Sequence, residues 1–178
     1  MSLSLGLIAV AAPNSEDVAG RLRTHMDNVS LHFQQVADTG MPVPSVGAPI
    51  GGWVLVTDPQ RAIVRSRTDL GRLARPGWAF ILDVDESLRA VSVAAWNDGR
   101  LAWHLERAPH AERVSSETKV PREYVEAFLQ VAQAMGADVP DVHYFALVRM
   151  FTNATGFQPG QPGWWEQVAY RPLLWNRR

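Results

Sequence analysis

The chain contains no cysteine, which excludes disulfides, thiolate nucleophiles and zinc–thiolate centres. Charge of one sign is equally scarce: 17 Lys and Arg stand against 18 Asp and Glu, a formal net charge of -1. No long-range field of one sign follows. The surplus of basic residues that neutralises phosphates is missing, and the short basic end of Arg171, Arg177 and Arg178 does not supply it, so no nucleic-acid partner is expected. The apolar stretch from Leu3 to Ala12 is far shorter than the roughly 20 residues that cross a bilayer. It also lacks the basic start of a signal peptide. A soluble, cytoplasmic protein without a membrane partner is the expectation.

Catalytic and cofactor motifs are absent too. There is no GxSxG elbow, and neither GxGxxG nor GxxxxGK[ST] occurs to cradle a phosphate. The glycines from Gly47 to Gly52 match neither spacing, and Pro49 interrupts them. His25 and His32 lie seven apart with no HExxH, about 10 Å along a helix axis, too far to grip one ion. Asp83, Asp85 and Glu86 lack the central Gly and closing Glu of a calcium loop and read as a solvated turn. Neither metal nor cofactor is expected.

What remains is an ordinary globular composition, 47% hydrophobic and 20% charged over 178 residues, expected as one domain spanning 1–178. Leu3, Leu5, Leu7 and Ala9 alternate with Ser4, Gly6, Ile8 and Val10, the pattern of a strand covered on both faces. After Pro13, Asn14 or Ser15 caps a helix whose stripe of Val18, Leu22, Met26, Val29, Phe33 and Val36 runs to Gly40 and Pro42. Met41 to Gly52 reads as a loop, Trp53 to Thr57 as a strand and Ala62 to Arg65 as its short partner. A small helix from Thr68 to Arg75 precedes a strand from Trp78 to Val84.

Between Ala90 and Arg107 two strands flank Asn97, Asp98 and Gly99. A three-residue loop there sets Val91 opposite Leu105, Val93 opposite Trp103 and Ala95 opposite Leu101, one wholly apolar face. The other face then carries Ser92, Trp96, Arg100, His104 and Glu106. Pro121 opens a helix that Gly136 ends, and a shorter one reaches Gly156. Pro159, Pro162, Gly163, Trp164 and Trp165 belong to an irregular arm with a short strand near Val168 to Arg171. Alternation places Trp78 and Trp103 in the core, and Trp53, Trp164, Trp165 and Trp175 close it where the arm returns, unless those near the C-terminus are exposed and form a binding surface. The fold class is α+β: an antiparallel-rich sheet with two main helices packed on one face and a short C-terminal helix.

These segments resemble a functionally uncharacterised family of small bacterial cytoplasmic proteins. The resemblance rests on Ile8-Ala9-Val10 through Pro13 to Val18, the strand Gly52-Trp53-Val54-Leu55-Val56, and the hairpin from Trp96 through Asp98-Gly99 to Trp103-His104. It extends to Val142 through Phe151 and the closing Thr155-Gly156-Phe157. His143 replaces the family's Asp, and Phe145 to Val148 replace its F-D-V-P. The resemblance implies a fold and no activity.

Two function classes follow. The first is a non-catalytic interaction or immunity-like accessory protein that meets another protein through Trp96, Arg100, His104 and Glu106. Trp96 on a polar face is either an aromatic anchor or lies beneath a helix. The second is a small-molecule-binding domain or hydrolase with a polar site near His104 and Glu106, where a His beside a carboxylate acts as a base. A homodimer is compatible with both.

Overall fold

The computed structural model describes residues 4–37, 43–137, 139–157, 166 and 168–175. The nine strands among these residues are β1 Ser4–Ala11, β2 Thr24–Met26, β3 Ser45–Gly47, β4 Trp53–Asp58, β5 Trp78–Asp85, β6 Ala90–Asn97, β7 Arg100–Arg107, β8 Ser115–Ser116 and β9 Tyr170–Trp175. They form a sheet in the order β2-β9-β3-β4-β1-β5-β6-β7-β8, and every pairing is antiparallel. Among the described residues five helices accompany it: α1 Ser15–Leu22, α2 Phe33–Ala37, α3 Arg67–Leu73, α4 Arg122–Met135 and α5 Val142–Thr155. The fold is α+β. Among the described residues no helix is long and apolar enough to cross a membrane.

Helices cover both faces of the sheet, which is why β1 is apolar at odd and even positions alike. Leu5, Leu7 and Ala9 point to the face where Leu82, Val84, Val91, Val93 and Leu105 meet α5 and α2. On that face α5 rests on β5, β6 and β7, and α4 packs against α5. Ile8 and Val10 point to the other face, where Val54, Val56, Ile81 and Trp96 meet α1 and α3 through Val18, Leu22, Leu70 and Leu73.

The single helix expected from Asn14 to Val36 is instead two helices and an edge strand. Asn14 does cap α1, accepting the Asp17 amide at 2.8 Å. Arg23 then turns left-handed at φ 58°, and Thr24 to Met26 pair with β9. The reason lies in the stripe itself. Val18 and Leu22 belong to the α1–α3 face, whereas Phe33 and Val36 belong to the α5 face. One straight helix cannot serve two sides of a sheet, so the chain passes around the edge and leaves Val29 exposed. Gly40, Met41 and Pro42 lie outside the described residues.

Three further expectations change. Ala62 to Arg65 form a turn, because the buried Asp58 carboxylate takes the amides a strand would have used: Ala62 at 3.1 Å, Ile63 at 2.7 Å and Val64 at 3.0 Å. The Pro- and Gly-rich loop contains β3, which bridges β4 and β9. The returning arm is a full strand, β9, between β2 and β3; Pro159, Pro162, Gly163, Trp164 and Trp165 lie outside the described residues.

The hairpin bends where expected but in a different register. Asn97 pairs with Arg100, so the loop is the two residues Asp98 and Gly99, both at positive φ (46° and 81°), as a type I′ turn requires. Val91 therefore meets Arg107, Val93 meets Leu105 and Ala95 meets Trp103. The pairing then jumps to Trp96 with Leu101, leaving Ala102 as a bulge. Above the bulge the faces exchange. Leu101 joins Trp96 on the α3 side, and Arg100 crosses to the other.

The tip is also fastened to the α3 end of the molecule. The Gly99 amide donates to the Ala74 carbonyl at 3.1 Å, and the Asp98 amide to the Gly77 carbonyl at 2.9 Å. The Gly77 amide returns a bond to the Asp98 carboxylate at 2.9 Å. Gly71 is part of this docking: a Cβ there would come within 3.2 Å of the Gly99 carbonyl and 3.6 Å of the Trp96 ring. The hairpin tip is thereby held under α3.

Candidate functional site

The bulge and the α3 contact together build a hollow on the outer part of the α3 face. Cross-strand pairing sets the rows: Ile81, Ala94 and His104 share one, and Asp83, Ser92 and Glu106 the next. The hollow, of about 210 Å³, has an apolar floor of Ile81, Ala94, Trp96 and Leu101, with Leu70 and Val64 from the α3 side. Its polar wall is Ser92, His104, Asp83 and Glu117, and Arg65 and Arg67 stand at its rim.

His104 is held through one ring nitrogen and faces a carboxylate with the other. Its Nε2 lies 2.8 Å from the Ser92 hydroxyl, and its Nδ1 lies 3.7 Å from the Glu117 carboxylate. Glu117 is steadied in turn by Arg67 at 2.9 Å. The His104 amide donates to the Thr118 hydroxyl at 3.2 Å, tying the short β8 segment to β7. Asp83 is neutralised by Arg61 at 2.5 Å, and that guanidinium also reaches the Ser4 hydroxyl and the Val84 carbonyl. Arg65 is exposed and has no acidic partner among the described residues.

Ser92 and His104 have the separation of a nucleophile and its base. The surroundings favour binding over acyl transfer. Ser92 lies inside β6, between β5 and β7, so the amides around it serve the two ladders instead of facing a developing oxyanion. The pair does present a hydroxyl and an imidazole at fixed positions above an apolar floor.

The four residues singled out from sequence separate. Trp96 is 7% exposed, beneath α3, and it lines the hollow from below. Of the two places open to it, outward anchor or beneath a helix, it takes the second, because the docked tip brings α3 over it. Arg100, expected beside His104, sits at the exposed tip paired with Asn97, displaced to the opposite face by the Ala102 bulge. Glu106 shares the face of His104 but is exposed and does not line the hollow. His104 is central. Sequence reasoning missed Glu117, which arrives from a separate segment with no local signal. Trp78 and Trp175, expected in the core, are 39% and 45% exposed. Trp78 lies flat against Phe80 at 5.8 Å, and Trp53 and Trp103 pack on the same Phe80. This aromatic row lies at the opposite end of the face from the Val84 and Val91 row that pairs with Arg107.

Among the described residues no group of His, Asp and Glu is arranged to hold a metal ion. No family model, no curated protein and no solved structure matches the chain.

Proposed function

We propose that this is a non-catalytic binding protein of the interaction or immunity-like kind, acting in the cytoplasm, which takes one anchoring side chain of a protein partner into the His104 hollow. The supporting observation is its size together with its lining. A space of about 210 Å³ falls below the roughly 300–1,000 Å³ of sites for cofactors and drug-sized ligands. It suits a single large side chain. An apolar floor with a few fixed polar groups is the arrangement of interface pockets that hold an aromatic anchor. The two lining carboxylates are already paired, Asp83 with Arg61 and Glu117 with Arg67, which leaves the Ser92 hydroxyl and the His104 imidazole as the wall's polar contacts and favours a neutral, hydrogen-bonding tip over a charged one. Tyrosine has that combination.

Titration of the labelled protein with N-acetyl-tyrosinamide, its leucine counterpart and its lysine counterpart, followed by amide NMR, tests the reading. The tyrosine derivative is expected to move Leu101, His104 and Glu117 saturably, with Kd of the order of millimolar. His104→Ala should erase its advantage over leucine. If none of the three perturbs those amides, the reading fails. The 2.8 Å contact between Ser92 and His104 favours a second reading, a serine hydrolase. Covalent labelling of Ser92 by a fluorophosphonate, with ester turnover lost in Ser92→Ala, would establish that one in its place.

A further inference from the structure

A second cavity lies on the opposite face of the sheet, between α4, α5 and the β5–β6 turn, and has about 360 Å³. Its walls are mainly apolar: Val131, Ala134 and Met135 from α4, with Phe145 and Val148 from α5. Phe145 to Thr152 along one side of α5 gives it a length of roughly 10 Å. Two cationic groups meet it, and they differ. Arg89 lies over the Tyr144 and Phe145 rings, at 5.4 and 5.5 Å, and is 3.6 Å from Asp141. Glu86 stands at the same end, three residues before Arg89 in the turn. Arg149 is exposed and has no acidic partner among the described residues. Beside it, Gln130 accepts a bond from Asn153 through its carbonyl oxygen. That polarity leaves the Gln130 amide hydrogens for a ligand.

We infer that this groove binds a medium-chain aliphatic carboxylic acid, with its chain along Val131, Ala134, Met135 and Val148 and its carboxylate at Arg149. The charge distribution sets the orientation. An anion at the turn end would meet Glu86 and an arginine that Asp141 already engages, whereas Arg149 offers an uncommitted guanidinium able to hold both carboxylate oxygens. The groove's length suits a chain of about eight to ten carbons, and burying its methylenes drives entry.

The experiment titrates the full chain with decanoate, decanol and decyltrimethylammonium, following amide shifts and binding heats. Decanoate is expected to saturate a single site that maps to Val131, Phe145 and Val148. The alcohol and the ammonium should bind about tenfold more weakly or not at all. Arg149→Gln, a change at an exposed side chain, should reduce decanoate to the affinity of decanol. Ala134→Trp should fill the groove and abolish binding, and His104→Ala should leave it unchanged. Absence of saturable binding, equal binding of decanoate and decanol, or shifts mapping to the His104 hollow would overturn the inference. The headgroup comparison uses the unmodified chain, so the test does not depend on any variant folding.

Discussion

Replacing Trp96 with alanine tests whether this ring is floor or contact. A buried Trp removes about 150–250 Å² from water, which at about 25 cal/mol per Å² is roughly 4–6 kcal/mol. That is an upper bound, because the unfolded chain already shelters part of the ring. The space left by alanine would also open into the His104 hollow, whose floor Trp96 forms, and water can fill it. The expected loss is therefore about 3–5 kcal/mol. Trp96→Phe sharpens the argument. The indole N–H is buried with no hydrogen-bond partner among the described residues, a situation that costs on the order of 1–3 kcal/mol. Phenylalanine removes that N–H while keeping a ring, so its loss should be about 2 kcal/mol or less.

The assay is urea unfolding followed by the fluorescence of the remaining tryptophans. With a slope of about 2 kcal/mol per molar urea, Trp96→Ala should lower the midpoint by roughly 1.5–2.5 M, and Trp96→Phe by less than about 1 M. An alanine variant within about 1 kcal/mol of the parent would show that the ring contributes contact area to something else and that α3 does not hold it. A phenylalanine variant as damaged as the alanine one would refute the account of the unpaired N–H.

Further outcomes follow from single groups. Burial pushes Tyr124 and Tyr144 up to about 12 and Tyr170 higher still, so the native chain should show no phenolate signal near pH 10. A raised phenol favours the neutral folded form; its stabilising contribution is complete below pH 10 and is lost as pH rises toward 12. A signal near pH 10 without unfolding would contradict this. Asp85 is held below the ordinary carboxylate range, chiefly by the Ser87 hydroxyl, with Ser4, the Leu88 amide and Arg61 adding to it. Its stabilising contribution is present at neutral pH and lost as pH falls below the ordinary carboxylate range, so the stability gap between the parent and Asp85→Asn should shrink as the solution is acidified; a gap that widens in acid would be the wrong sign. Gly99→Ala should cost about 1–2 kcal/mol in a thermal or urea melt, because φ is 81° and the new methyl meets the Arg75 guanidinium. An unchanged melt would show that the tip relaxes freely.

Local signals carried far in this chain. The alternation in β1 correctly implied cover on both faces, and Asn14, Pro121, Gly136 and Gly156 stand at the helix ends where their chemistry places them. Where reasoning from the sequence failed, the missing information was tertiary. Val18, Leu22, Phe33 and Val36 keep a helical period across a break, because nothing local distinguishes residues destined for two sides of a sheet. Glu117 reaches His104 from just beyond the two-residue edge strand β8, which is too short to have a pattern of its own.

The Ala102 bulge shows how far one such residue propagates. Without it, strict alternation would keep Arg100 on the face of His104 and put Leu101 under α5. The extra residue turns Leu101 to Trp96 and lets Asp98 and Gly99 close a tight turn, whose amides reach the Ala74 and Gly77 carbonyls. That contact brings α3 over Trp96, which becomes the floor of a hollow with His104 on its wall. The turning of Leu101 into the apolar floor and the loss of Arg100 from the site thus have one cause. A hairpin in simple register would have left a flat polar strand pair where this chain has a pocket.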